Sequence, residues 1–494
     1  SGVLDNLLKQ TPSGILELIK VKGIGAKKIK TAWDELGVES PEDLYVVAKQ
    51  GELAGLPGFG QKTQERMLQV VSFHLSNRGR VHYKDAHLVG IDLERRIKDG
   101  FKQVKLTRVG AFRRKLEVLE RIEFLCATDN PTEMTAFLNE QTDLAPDNQA
   151  SGPYRWLGKM DGIEVPVDFR FCRPTEFGSK SVYYTGSPAH LALTNEKGIS
   201  IHEVLRSDIR DESTVYQEFG WPLIIPELRE GHYEQYALES AGSKIIDLED
   251  INGIIHNHST YSDGKHTLVV MAEACKALGY QYLGISDHSQ TAVYANGLDE
   301  GRVAEQQREI DELNQQMAPF KIFKGIESDI LNDGSLDYPE SVLQTFDFVV
   351  ASIHFNMEMD IEQATQRLIK AIENPYTTIL GHPTGRLLLK RQGYPVDHKK
   401  VIDACAAHRV VIEINAHPWR LDLDWRWVRY AMDQGVMISI NPDAHSKEGL
   451  EDVYYGVCVA RKAGLSKEMT FNAKTLKEME SYLYQSKPKP ATTN

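Results

Sequence analysis

The sequence predicts a multidomain protein with three architectures in series: an all-helical front, an α+β middle and a C-terminal α/β barrel. Three observations carry this prediction. Two related Gly-hydrophobic-Gly turns lie between short helical patterns in the first 78 residues. Helix-like and strand-like segments are mixed over residues 79–245. From residue 246 to 485 the two kinds alternate, and nearly every strand-like run ends in His, Asp or Glu. A chain of 494 residues is long enough for several domains.

The front is basic. Net charge is −13 overall, yet the first 120 residues carry a basic excess and the remainder an acidic one. A basic front suits a polyanion; an acidic back suits a carboxylate-rich cation site or a solvated surface. Gly23 and Gly25, followed by Lys27 and Lys28, open a helical pattern that stops at Gly37. Gly58 and Gly60, followed by Lys62, open another. Such glycines permit a tight turn that presents backbone N–H groups at a helix N-terminus, and the lysines add charge. The pair resembles a tandem helix-hairpin-helix (residues 1–78), which implies sequence-independent grip on nucleic-acid phosphates.

In the middle, a helix-like stretch at 88–101 leads to a strand over 103–109, then Gly110-Ala111-Phe112-Arg113-Arg114 and a second strand from Arg121 to Cys126. Strand-like 165–171, Tyr183-Tyr184-Thr185-Gly186-Ser187 and Trp221-Pro222-Leu223-Ile224-Ile225-Pro226 follow. This order resembles the nucleotidyltransferase-like palm (79–180) and thumb (181–245) of family X DNA polymerases. The departures point to a catalytically degenerate palm. The family has Gly-Ser where this chain has Gly110-Ala111, and Asp-x-Asp where it has Arg121-Ile122-Glu123; Asp168 alone matches the third carboxylate. Nucleotidyl transfer needs two Mg²⁺ ions held by clustered carboxylates. A guanidinium beside them would repel a cation by about 4 kcal/mol per unit charge at about 4 Å in an intermediate dielectric. The palm is therefore expected to bind DNA and not to incorporate nucleotides.

The barrel opens on Ile255-His256-Asn257-His258, with Asp263 in the following loop. Residues i and i+2 of a strand share a face, so the two imidazoles stand side by side. Later strand-like runs end in His288, Glu327, His354, His382 and the Asp443-Ala444-His445 run. Nine such groups at successive strand ends place a site on one face of a (βα) barrel. Packing does not account for them, because buried unpaired polar groups cost energy.

This set resembles the PHP (polymerase and histidinol phosphatase) domain, which implies a distorted (βα)7 barrel with a trinuclear metal centre. By that resemblance His256, His258, Glu327 and Asp443 hold one ion, Glu327 bridges to a second held with His354 and His382, and Asp263, His288 and His445 hold a third. Mixed imidazole and carboxylate ligands suit Mn, Zn or Fe. The implied chemistry is phosphoester hydrolysis by a metal-bridging hydroxide held by Glu327. Arg386 and Arg420 are candidate phosphate clamps. His266 and His417 lie near the ligands but outside the nine. The resemblance also implies an amino-terminal helical domain that is missing from this chain, which opens on Ser1-Gly2.

The expected function is a metal-dependent 3′→5′ exonuclease or end-processing enzyme of DNA repair, acting on single-stranded or 3′-recessed ends. Rival readings are a small-molecule phosphatase of the histidinol-phosphatase type, a non-catalytic DNA-binding platform and a still-active polymerase. No apolar run is long enough to span a membrane, so no membrane partner is expected. Five scattered cysteines in apolar settings suit reduced thiols and a cytoplasmic location. A monomer is favoured, and residues 486–494 are expected to form a disordered tail.

Overall fold

The computed structural model describes residues 10–235 and 244–486. The chain divides into two compact units, residues 1–81 with 387–393, and 82–386 with 394–494. The expected tail lies outside the described residues except for Ser486, which ends the helix Leu476–Ser486. No helix among the described residues is long and apolar enough to cross a membrane. All five cysteines are buried and free.

In the first unit, helices Ser13–Lys20, Ala26–Leu36, Pro41–Gln50 and Gln61–Asn77 pack around Leu18, Ala32, Leu44, Leu53 and Val71. Both Gly-x-Gly turns are built alike. Gly23 and Gly58 have φ of 102° and 80°, which an L side chain rarely adopts. Gly25 and Gly60 are extended residues that cap the next helix. Ile24 and Phe59, between the glycines, are buried and anchor each turn. Lys27 and Lys62 are exposed, and Lys28 lies over the Phe59 ring at 5.8 Å.

The second unit contains two large sheets among its described residues. The five-stranded one runs in the order Lys105–Arg108, Ile122–Ala127, Val167–Cys172, Arg155–Met160, Leu144–Pro146. Its two central strands are parallel and in a register that sets Glu123 beside Asp168. Phe124 and Phe169 stack at 4.8 Å beneath them. Helices Phe177–Thr185 and Glu212–Phe219 follow, around Val182, Val215, Tyr216 and Phe219.

The seven-stranded sheet is parallel throughout, in chain order from Gly253–Ile254 to Ile438–Asn441. Intervening strands are Tyr282–Ile285, Lys321–Asp329, Phe348–Ser352, Ile379–Leu380 and Val411–Asn415. Apart from the half-buried Lys321 and Lys324 these strands are buried throughout, as a sheet covered on both faces requires. The ends approach closure: His258 N donates to Ala444 O at 2.9 Å, and Asn257 bridges Ala444 in parallel. The alternation expected from sequence is present with boundaries shifted by up to three residues. One shift matters. The strand expected to stop before Glu327 continues to Asp329, because pairing with Val350–Ser352 carries on. Glu327 and Asp329 therefore share one face.

Candidate metal centre

All nine strand-end groups converge at one end of the barrel. Glu327 is the hub. Its carboxylate oxygens lie 3.0 Å from His382 Nε2, 3.0 Å from His288 Nδ1, 3.2 Å from His354 Nε2, 3.4 Å from His256 Nε2 and 3.6 Å from His258 Nε2. Asp443 approaches His258 Nε2 at 3.0 Å and His256 Nε2 at 3.5 Å. Asp263 lies 3.3 Å from His445 Nε2 and 3.7 Å from His288 Nε2.

Three groups among the described residues have ligand atoms mutually within 4.8 Å: His258, Asp263, His288 and His445; His256, His258 and Asp443; His288, Glu327 and His354. His258 and His288 each belong to two of them, a sharing that the resemblance did not imply. His382 and Asp443 have φ of 22° and 51°, local strain of the kind that collects at functional sites.

The donor set fits divalent ions. His256 Nε2, His288 Nδ1 and Glu327 Oε2 are buried without a hydrogen-bond partner among the described residues, although each faces the cluster. Leaving such atoms unmatched costs free energy that a cation would recover. Burial pushes the Glu327 carboxyl up, but the charges of His354, His256 and His288 outweigh it and hold it well below the usual range. Burial and the charges of His445 and His288 hold the His258 imidazole down at about 3, so its nitrogens stay neutral and able to ligate.

A layer of buried groups behind the nine was not read from sequence. Glu413 Oε1 lies 2.7 Å from His256 Nδ1, and its other oxygen accepts from His382 N at 2.9 Å. Asn441 and Asn415 also donate to Glu413, and Asn415 donates to Asp443 at 2.9 Å. Asp329 Oδ1 lies 2.6 Å from His354 Nδ1. Asp287 accepts from both the backbone and hydroxyl of Ser259, from Ser262 and from Gln306, which fixes the loop after His258. The available signals were the i, i+2 pairs Glu327-x-Asp329 and Glu413-x-Asn415, each on one strand face.

The two arginines part company. Arg386 donates to Arg420 O at 2.9 Å, to Asp424 at 2.7 Å and to Leu421 O, so its guanidinium braces the segment carrying Arg420. The expectation that Arg386 clamps phosphate meets this correction: its donors are already matched. Arg420 Nε lies 3.6 Å from Asp443, and its Nη1 is buried with no partner among the described residues. His417 Nδ1 accepts from Trp419 N, and His266 Nδ1 accepts from Lys447 N, so both hold loops.

In the five-stranded sheet, Asp168 is fully buried and gripped by three guanidinium groups. Arg121 reaches it at 2.9 Å, Arg155 at 2.8 and 2.9 Å, and Arg170 at 3.2 Å. Arg121 thus faces Asp168 and not Glu123, as its position just before the strand allows. Burial pushes Asp168 up, but the hydrogen bond from Arg155 and the charge of Arg170 more than offset this. Glu123 rests against Gly110, where an added Cβ would fall 1.8 Å from its Oε2. Burial raises the Glu123 carboxyl, against the charge of Arg170.

Comparison with known proteins gives this geometry its family. The PHP domain model matches residues 255–417, and a SAM-like helix-hairpin-helix tandem model matches residues 15–70. A DNA polymerase/3′-5′ exonuclease PolX of Bacillus subtilis (strain 168) is 36% identical over 496 residues, covering 98% of this chain and 87% of that protein. The chain belongs to the PolX family. A probable phosphatase of Thermoanaerobacter sp. (strain X514) is 31% identical over 187 residues, 36% of this PolX-family chain and 74% of that protein. A crystal structure of Leishmania infantum polymerase beta matches 44% of this chain and 98% of its own chain at 18% identity and a TM-score of 0.25. Seven of the nine clustered side chains fall inside the PHP match; Asp443 and His445 lie beyond it.

Proposed function

We propose that this PolX-family chain is a metal-dependent phosphoesterase that shortens DNA from 3′ ends, with a palm kept for binding and inactive in nucleotidyl transfer. The observation that carries the reading is the convergence of five imidazoles on the single carboxylate of Glu327. His256, His258, Glu327 and Asp443, with Asp263, His288, His354, His382 and His445, would hold up to three divalent ions of Mn, Zn or Fe type. When bound, such ions neutralise phosphate oxygens and supply a strong nucleophile from water at neutral pH. The chain's own residues do the rest. Glu327 stays ionised at the hub. Glu413 and Asp329 hold the Nδ1 protons of His256 and His354, which aims both Nε2 lone pairs inward. Arg420, with an unmatched buried Nη1, is placed to take a phosphate oxygen.

For the palm, Asp168 would have to release three arginines before holding Mg²⁺. DNA would be gripped through Gly23, Gly25, Lys27, Lys28, Gly58, Gly60 and Lys62 of the hairpins, which offer N–H groups and charge to phosphates. The barrel-only match to probable phosphatases favours a second reading, hydrolysis of a small phosphomonoester.

One experiment separates these. With Mn²⁺, wild-type protein is expected to convert 5′-labelled single-stranded and 3′-recessed DNA into a ladder, His258→Ala is expected to leave it intact, and chelator is expected to stop the wild type. The same preparations, given a primed template and dNTPs with Mg²⁺ or Mn²⁺, are expected to add no nucleotide. Intact DNA with turnover of a phosphomonoester sinks the exonuclease in favour of the phosphatase; primer extension sinks the inactive palm.

A further inference from the structure

We propose that Tyr294 is a base-stacking platform at the mouth of the metal centre, which makes the site selective for unpaired strands. This rests on the reading of the chain as a DNA 3′-end phosphoesterase.

The turn that carries it is built on a candidate ligand. Leu298 N donates to His288 O at 2.9 Å, and Ser289 bridges Leu298 in parallel, so the loop between them closes back on His288. Its one helical turn, Val293–Ala295, is flanked by Asn296 at φ 57°. Ala292 and Ala295 are buried, while Val293 and Tyr294 between them are 82% and 70% exposed. The exposure is imposed by a rigid frame. The Thr291 hydroxyl donates to Asp329, the carboxylate that orients His354, and Thr291 N donates to Asp337, while Asn296 donates to Tyr261 O. The Tyr294 ring stands 6.2 Å from the His288 imidazole with the planes at 55°.

An exposed phenol ring held 6.2 Å from a candidate ligand is placed to take a flat group carried by a phosphate bound at the cluster. A phosphate bound at the cluster carries its sugar and base outward, and every nucleobase has a face that stacks on a phenol ring. The occupant is therefore one of the two bases flanking the scissile phosphate. A paired base is already stacked within its duplex and must leave it to reach the ring, so unpaired ends are favoured. Val293 adds an apolar edge to the platform.

The test uses full-length protein loaded with Mn²⁺ and two 5′-labelled single strands, one intact and one lacking both 3′-terminal bases. Wild type is expected to show a KM about tenfold higher for the abasic strand, the size of one base–aromatic stack. Tyr294→Ala is expected to raise KM for the intact strand by about the same factor and to erase the difference between strands. Tyr294→Phe is expected to restore the discrimination. If Tyr294→Ala still prefers the intact strand as wild type does, or wild type treats both alike, the platform is overturned. Wild type that shortens neither strand overturns the DNA reading itself and the platform with it.

Discussion

At the scale of single residues, the centre depends on side chains that would never touch a metal. A carboxylate can only accept, so Glu413 requires the proton of His256 on Nδ1 and leaves Nε2 facing Glu327 and Asp443. Asp329 does the same for His354. Glu413 also accepts from His382 N and two asparagines, so it fixes the backbone of one candidate ligand and the ring of another. Replacing it with Gln puts an amide donor where four donors converge. Glu413→Gln is expected to weaken Mn²⁺ binding roughly 10- to 100-fold, read by calorimetric titration, with the far-ultraviolet circular dichroism of the wild type.

At the scale of elements, the segments ahead of the barrel meet it through buried charge. The barrel helix Val453–Lys462 packs on the Pro226–Leu228 turn. Glu227 pairs with Lys115 at 2.9 Å and with Arg461 at 3.1 Å. Lys462, almost wholly buried, donates to Glu230 at 2.6 Å and to Arg114 O at 3.0 Å. Burial pushes the Glu227 carboxyl up, yet Lys115 and Arg461 hold it down at about 2. A carboxyl lowered in the folded state contributes stability above its unfolded value near 4.5 and loses it as pH falls toward the folded one. Glu227→Gln is therefore expected to cost on the order of 3 kcal/mol in urea unfolding at pH 7, and the gap from wild type to narrow steadily below pH of about 4.5. A gap independent of pH would mean that the ion pairs do not act across this junction.

At the scale of the whole molecule, charge is divided between functions. The hairpin unit carries exposed lysines on glycine turns, while the barrel carries an acidic and imidazole-rich hub. Counterion release ties each phosphate contact to salt dependence, at about 0.9 of a log unit per contact on duplex DNA. The triple replacement of Lys27, Lys28 and Lys62 by Ala is expected to reduce the slope of log affinity against log salt by roughly 2 to 3. Fluorescence anisotropy with a 3′-recessed duplex at several salt concentrations checks this. An unchanged slope would remove the hairpin lysines from the DNA path.

The sequence by itself determined the elements and the nine polar groups. Strand burial, glycine turns and alternation are local properties, and a side chain at a strand's C-terminal end stays there whatever the neighbours do. It also set Arg121 and Glu123 against the Asp-x-Asp that the resemblance implies, because that motif is contiguous. Only the tertiary structure decided what stands behind those groups. Glu413 meets His256 across 157 positions, and Asp329 faces His354 because the strand Lys321–Asp329 runs two residues past Glu327. Arg121 and Arg155 meet on Asp168 through sheet packing, and Arg386 proved to brace the Arg420 segment once its chain neighbours were folded round it. The physical reason is common to all four. Local pattern fixes which face a side chain occupies, whereas a hydrogen-bond partner from a distant segment is fixed by register and packing, which no local window contains.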